Sequence, residues 1–232
     1  MKRENKEQKI VISYENSREI TETINALDFY SRIWIGQYLE IDHQMMWLKK
    51  ELYKVPTEVQ VTPLLLEIRS ILLPELSAVV GETLNGSYGI FSDHIDSKAR
   101  IAYDIQQVMR YTKAWFIRPE GGLGVDFDRP LWANHELPVP TAFCHNSNFE
   151  KEGHVGETQM ELTLSDPIQE FVLKEALAVK KCLYEGKIRE LFTHYTDDET
   201  VLHFAENVEK FYKKFEEDPN AKDLLENFPT FI

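Results

Sequence analysis

The stretch IVISYENSREITETINALDFYSRIWIGQYLEI (10–41) passes from a β-branched run straight into a helical repeat. Residues 8–14, QKIVISY, read as a strand. Glu15, Asn16 and Ser17 interrupt it, and Asn16 or Ser17 suits the start of a helix, because a short polar side chain accepts from the first unpaired backbone N–H groups. From about Arg18 to Ile41, Ile20, Ile24, Leu27, Trp34, Tyr38 and Ile41 recur at three- and four-residue steps. That period predicts one long helix with a buried face.

The same order returns further along. TQMELTL (158–164) alternates as a strand, Ser165 or Asp166 caps the next element, and Pro167 stands at the first helical position, where its missing N–H costs nothing. This helix is expected to run to about Phe192. At a constant offset of 150 between 10–41 and 160–191, Ala26–Leu27 falls on Ala176–Leu177, Gly36 on Gly186 and Glu40 on Glu190. A strand–helix duplication would set the two units about a pseudo-twofold axis, with the two glycines marking equivalent close approaches.

The rest of the chain is mostly helical in pattern. His43 to Tyr53 reads as a short helix stopped by Pro56, and leucine-rich Thr57 to Val80 as one or two helices parted near Pro74. A turn-rich loop, NGSYGIFS (85–92), precedes a helix from Asp96 or Ser97 to about Phe116. RPEGGLGVDFDRP (118–130) reads as a glycine turn leading into a short strand, Val125 to Phe127. A final helix after Asp197 carries the stripe Val201, Phe204, Ala205, Val208, Phe211, Tyr212 and Phe215 and ends at Pro219. The expected class is α+β, predominantly helical, with long amphipathic helices and a few short strands. Three regions follow: a helical unit with short strands over 1–130, an irregular connection over 131–157, and a strand plus two helices over 158–232, packed together as one core.

Composition narrows the functional classes. With 43% hydrophobic and 28% charged residues in 232, the chain is neither disordered nor collagenous. Two cysteines, Cys144 and Cys182, without CxxC spacing exclude a disulfide framework and point to free thiols in a cytoplasmic protein. The start MKRENKEQK has no apolar core behind it, so no signal peptide is expected, and no apolar run is long enough to span a membrane. A net charge of −13 argues against direct nucleic-acid binding, since it repels phosphate, and suits a basic partner that an acidic inhibitor would cover.

The strings ALDFYSRIWIGQYLEI (26–41), AYDIQQVMRYTKAW (102–115) and EGGLGVDFDRP (120–130), with SYGIFS (87–92), resemble a set of uncharacterised bacterial proteins. These combine LD-YSR-x-x-x-GQ, AYD-x-x-QV-x-R and GG-x-x-V-x-F-x-x-P motifs. The resemblance covers about residues 1–130 and implies that this block is one unit. It carries no catalytic residue over.

Polar residues on apolar faces supply the candidate site. On a helical wheel for 18–41, Asp28, Arg32, Thr21 and Asn25 gather on one side, whereas Gln37 falls in the apolar arc and needs a partner. On the helix over 97–116, Asp104 falls inside the edge of the apolar arc, where a carboxylate needs a cation or several donors. Arg100, Arg32 and Arg110 are the cations at hand. If the two helices pack together, Arg32, Gln37, Asp104 and Arg110 line one polar pocket, the default ligand site. Trp132, in a polar loop, is a candidate anchor for a partner. The GGLG turn (121–124) lacks phosphate-loop spacing, and neither Cys144, His145 and His154 with Asp126 and Asp128, nor His194, Asp197, Asp198 and His203, matches a zinc pattern. No catalytic residue, metal or cofactor is therefore assigned. The first expectation is a non-catalytic binding protein that recognises a protein partner or a small polar ligand. The alternative is an enzyme acting on a small anionic or polar substrate in that pocket. Phe29 and Leu39, standing among polar residues, suggest a homodimer.

Overall fold

The structure, a computed structural model, describes residues 9–45, 61–146 and 158–213. It is a predominantly helical α+β fold. In chain order the elements are β1 (Ile10–Tyr14), α1 (Ser17–Trp34), α2 (39–45), α3 (Thr62–Leu72), α4 (Pro74–Val80), α5 (Ser97–Ile117), a 3₁₀ turn (Val125–Phe127), β2 (Thr141–Asn146), β3 (Thr158–Leu164), α6 (Pro167–Tyr184), α7 (Ile188–Thr193) and α8 (Glu199–Lys213).

The sheet is antiparallel with order β1-β3-β2. Its inner face presents Ile12, Tyr14, Met160, Leu162, Leu164 and Cys144 to helices α1, α5 and α6, while Val11, Glu161 and Phe143 face outward. This two-residue alternation is what a one-sided sheet demands. Beyond α1 and α6, α3 and α7 pack on α8, with Val201, Ala205 and Val208 of the α8 stripe buried.

The two strand–helix units repeat at the predicted offset. Ile12 pairs with Leu162, its own equivalent at +150, so the pseudo-twofold axis passes between them. Asn16 and Asp166 cap α1 and α6 with their side chains, through Glu19 N–H and Ile168 N–H respectively. Both helices then stop in the same way, earlier than the apolar period suggests. Gly36 (φ 91°) and Gly186 (φ 68°) take the left-handed conformation; Gly36 N–H donates to Ile33 O and Gln37 N–H to Arg32 O, while Gly186 N–H donates to Leu183 O and Lys187 N–H to Cys182 O. This doubled bond satisfies carbonyls that a helix end leaves unpaired, and glycine enters it without the cost of a Cβ. The expected continuous helices, 18–41 and 167–192, are therefore each two helices with a glycine corner. Among the described residues the C-terminal region holds three helices, α6 to α8, where two were expected.

Gly36 and Gly186 are not equivalent close approaches. A Cβ at 36 would run into the Leu76 side chain and press on Leu73, whereas nothing lies near one at 186. Two further expectations change. Val125–Phe127 is a 3₁₀ turn, because α5 takes its carbonyls: Arg110 donates to Val125 O and Trp115 Nε1 to Phe127 O, at 3.2 Å. The connection over 131–157 is not irregular throughout, since Thr141–Asn146 is strand β2, whose Ala142 and Cys144 face Leu162 and Met160. The helix expected from His43 to Tyr53 lies largely outside the described residues, as do the chain ends and Pro219.

Candidate functional site

α1 and α5 pack antiparallel, and the segment after α5 folds back over them. Between the three lies a cleft of about 710 Å³. Thr21, Asn25, Asp28 and Arg32 form one wall, at three- and four-residue steps along α1. Tyr103, Gln107, Arg110, Lys113 and Ile117 form the second at the same spacing along α5. Val125, Asp126, Arg129 and Leu131 close the third side. The polar side of α1, which a wheel would assign to solvent, is thus a wall of a concave site.

Most of its charges are already paired. Arg32 Nε donates to Asp28 Oδ2 at 2.6 Å, and its NH1 to Gln37 Oε1 at 3.0 Å. Arg110, 11% exposed at its side chain, ties the site together: NH2 donates to Gln107 Oε1 at 2.6 Å, and NH1 to Val125 O and, at 3.4 Å, Asp126 Oδ1. Its Nε is buried without an acceptor among the described residues. Lys113 differs. Its ammonium donates to Thr21 Oγ1 and, at 3.4 Å, to Ser17 O, both neutral oxygens, and no carboxylate among the described residues is within ion-pair distance. Burial pushes its pKa down.

The four residues expected to share one pocket do not converge. Arg32 and Arg110 line the cleft; Gln37 and Asp104 do not. Gln37 sits past the end of α1, where its amide accepts from Arg32 and its Nε2 donates to Ser87 Oγ at 3.2 Å, so it ties the glycine corner to the loop over 85–92. Asp104 is 5% exposed and forms no ion pair with Arg or Lys among the described residues. Ala133 N–H and Asn134 N–H donate to its two oxygens at 2.8 and 3.0 Å. Burial outweighs those bonds and pushes its pKa up to about 6. Asp104 thereby anchors the segment that carries Trp132, itself half-buried. Phe29 is fully buried under the Lys180 ammonium, 4.7 Å from its ring, and Leu39 packs against the core, so neither supplies the apolar surface expected for a homodimer.

Two features escaped the sequence reading. Lys113 stands one turn beyond Arg110, and its position in the stripe Tyr103, Gln107, Arg110, Lys113, Ile117 was the signal for it. The other is Glu175, 9% exposed at its side chain, where the Tyr30 hydroxyl (2.5 Å) and the Lys98 ammonium (3.2 Å) meet, with His194 Nδ1 at 3.9 Å. Burial and the Glu175 carboxylate push the Tyr30 hydroxyl far above its ordinary pKa, so it stays a donor. Nothing within either helix announces a partner 145 residues away.

Among the described residues no group of three or more His, Cys, Asp or Glu side chains is placed to hold a metal, and no helix is long and apolar enough to cross a membrane. No protein-family model, curated protein or solved structure matches the chain. The site's chemistry must therefore be read from its own residues.

Proposed function

We propose that this chain is a non-catalytic binding protein whose α1–α5 cleft receives a small polar ligand bearing an anionic group. One observation carries the reading: Lys113, a half-buried ammonium held only by neutral oxygens, stands in a cleft whose neighbouring cations Arg32 and Arg110 are already positioned by Asp28 and Gln107. Withdrawing a charge from water is costly when its counter-charge, Asp126, stands beyond ion-pair distance, and an anion in the cleft would offset that cost. Segments from all three motifs quoted above line this one cleft, through Asp28 and Arg32, Tyr103, Gln107 and Arg110, and Val125. The volume falls in the range of small-molecule sites. Asp104, the acid that an enzyme in this region would use, is committed to backbone N–H groups outside the cleft. Two free thiols, both pushed up to about 11 by burial, accord with a cytoplasmic protein.

The test is thermal denaturation and calorimetric titration with citrate, inorganic phosphate and short carboxylates, beside amines of matching size. Anions should raise the melting temperature of the wild-type chain and lose that effect in Lys113→Gln. Equal stabilisation by the amines, or none by any anion at millimolar concentration, overturns the reading.

A further inference from the structure

The cleft is too large for a bare inorganic anion, and part of its lining is apolar. Ile117, Val125 and Leu131 line it while remaining 54%, 68% and 62% exposed. Apolar side chains gathered on a concave rim mark a surface that something apolar covers. The arrangement along α5 is ordered. Tyr103, Gln107, Arg110 and Lys113 are polar, Ala114 follows, and Ile117 stands one turn past Lys113. The Lys113 ammonium, with no carboxylate at ion-pair distance, therefore lies where the α5 wall turns from polar to apolar.

We infer that the ligand is an amphiphilic anion, a carboxylate or phosphate ester at the head of a hydrocarbon chain, with its head at Lys113 and its chain laid over Ile117, Val125 and Leu131. The inference rests on the anion-binding reading of the same cleft and adds what the rest of the ligand is. An apolar chain gains affinity with each methylene removed from water, about three- to fourfold apiece. A head group without a chain would leave the rim exposed and the volume unfilled.

The experiment is calorimetric titration of the full chain with acetate, butyrate, hexanoate and octanoate, with octyl phosphate against inorganic phosphate, and with octylamine as the chain-matched cation. Octanoate should bind on the order of a hundredfold more tightly than butyrate at three- to fourfold per methylene, and octyl phosphate should exceed inorganic phosphate similarly. Ile117→Ser/Leu131→Ser, which alters two exposed side chains and leaves the core untouched, should flatten the chain-length series while short anions bind as before. Lys113→Gln should weaken every anion alike. If anions bind with no dependence on chain length, the amphiphile inference is overturned and the anion site stands. If octylamine binds as tightly as octanoate, or no anion binds at all, the anion site falls and the inference with it. If a carboxylate and a phosphate ester of equal chain length differ, the stronger identifies the head group.

Discussion

The two strand–helix units share a backbone plan and differ in what surrounds them. Each has a polar cap, an eighteen-residue helix and a left-handed glycine at a constant offset of 150, followed by a second helix. The first corner is clamped: Leu73 and Leu76 press on Gly36, Tyr88 N–H donates to Ile35 O at 2.8 Å, and Ser87 takes the Gln37 amide. The second corner has nothing against Gly186. Position 30 holds a tyrosine that donates to Glu175 of the other helix, whereas its equivalent, position 180, holds a lysine 2% exposed between the Phe29 and Tyr184 rings. Local sequence thus builds the unit twice, and the neighbours make α1 of the first unit a wall of the cleft against α5.

Substitutions at equivalent positions test this contrast. The largest effect is expected at the corner. Gly36→Ala combines left-handed strain with overlap against Leu76 and should cost about 3–4 kcal/mol, whereas Gly186→Ala meets only the strain, about 1–2 kcal/mol. Urea unfolding of the two variants measures the difference, and equal costs would mean that the clamp on the first corner contributes nothing.

Next comes Asp104, on the helix that completes the cleft. Asp104→Ala leaves two buried N–H groups without acceptors and should cost about 2–3 kcal/mol. Its pKa of about 6 lies above the ordinary value of 3.8, so the folded state holds the proton more tightly. Its contribution is complete below pH 3.8 and is lost as pH rises through about 6. The variant should lack that part of the wild-type pH–stability slope.

Smaller effects are expected where the helices cross. Tyr30→Phe removes a donor to a buried carboxylate and should cost about 1.5 kcal/mol. Lys180→Met, at the equivalent position, should be neutral or stabilise by about 1 kcal/mol at pH 7, because it removes a desolvated charge. Burial lowers the Lys180 pKa to about 8, so wild-type stability rises as pH goes from 8 to 10.5, and Lys180→Met should lose that rise. If both variants destabilise equally, the two crossings are alike and the contrast drawn between them fails. The smallest signal is the pH dependence of anion binding. With Lys113 lowered by burial, octanoate affinity should begin to fall at a pH below the ordinary lysine range, and calorimetry across pH 7–10 reads it.

The fold class, both strand–helix units, their caps and the break at Pro74 were legible because each depends on residues a few positions apart. The glycine corners were visible as matched glycines, yet the apolar period ran through them to Ile41 and Phe192, since α2 and α7 resume burial in phase with the helix before them. Arg32 and Arg110 line one cleft through the packing of α1 on α5. Gln37 and Asp104 needed partners; Gln37 finds one, Arg32, five residues back and another, Ser87, 50 residues on, and those of Asp104 come from about 30 residues on.

Residue type and spacing were enough to specify caps, strand faces and the list of polar groups that burial would penalise. Which group answers each penalty, and which polar stripe becomes a wall rather than a wet surface, followed from the packing of α5 and the segment over 125–131 against α1. The physical reason is range: a helix cap or a left-handed glycine is settled by bonds within one turn of chain, whereas a charge is compensated by whatever the folded chain brings within a few ångströms of it.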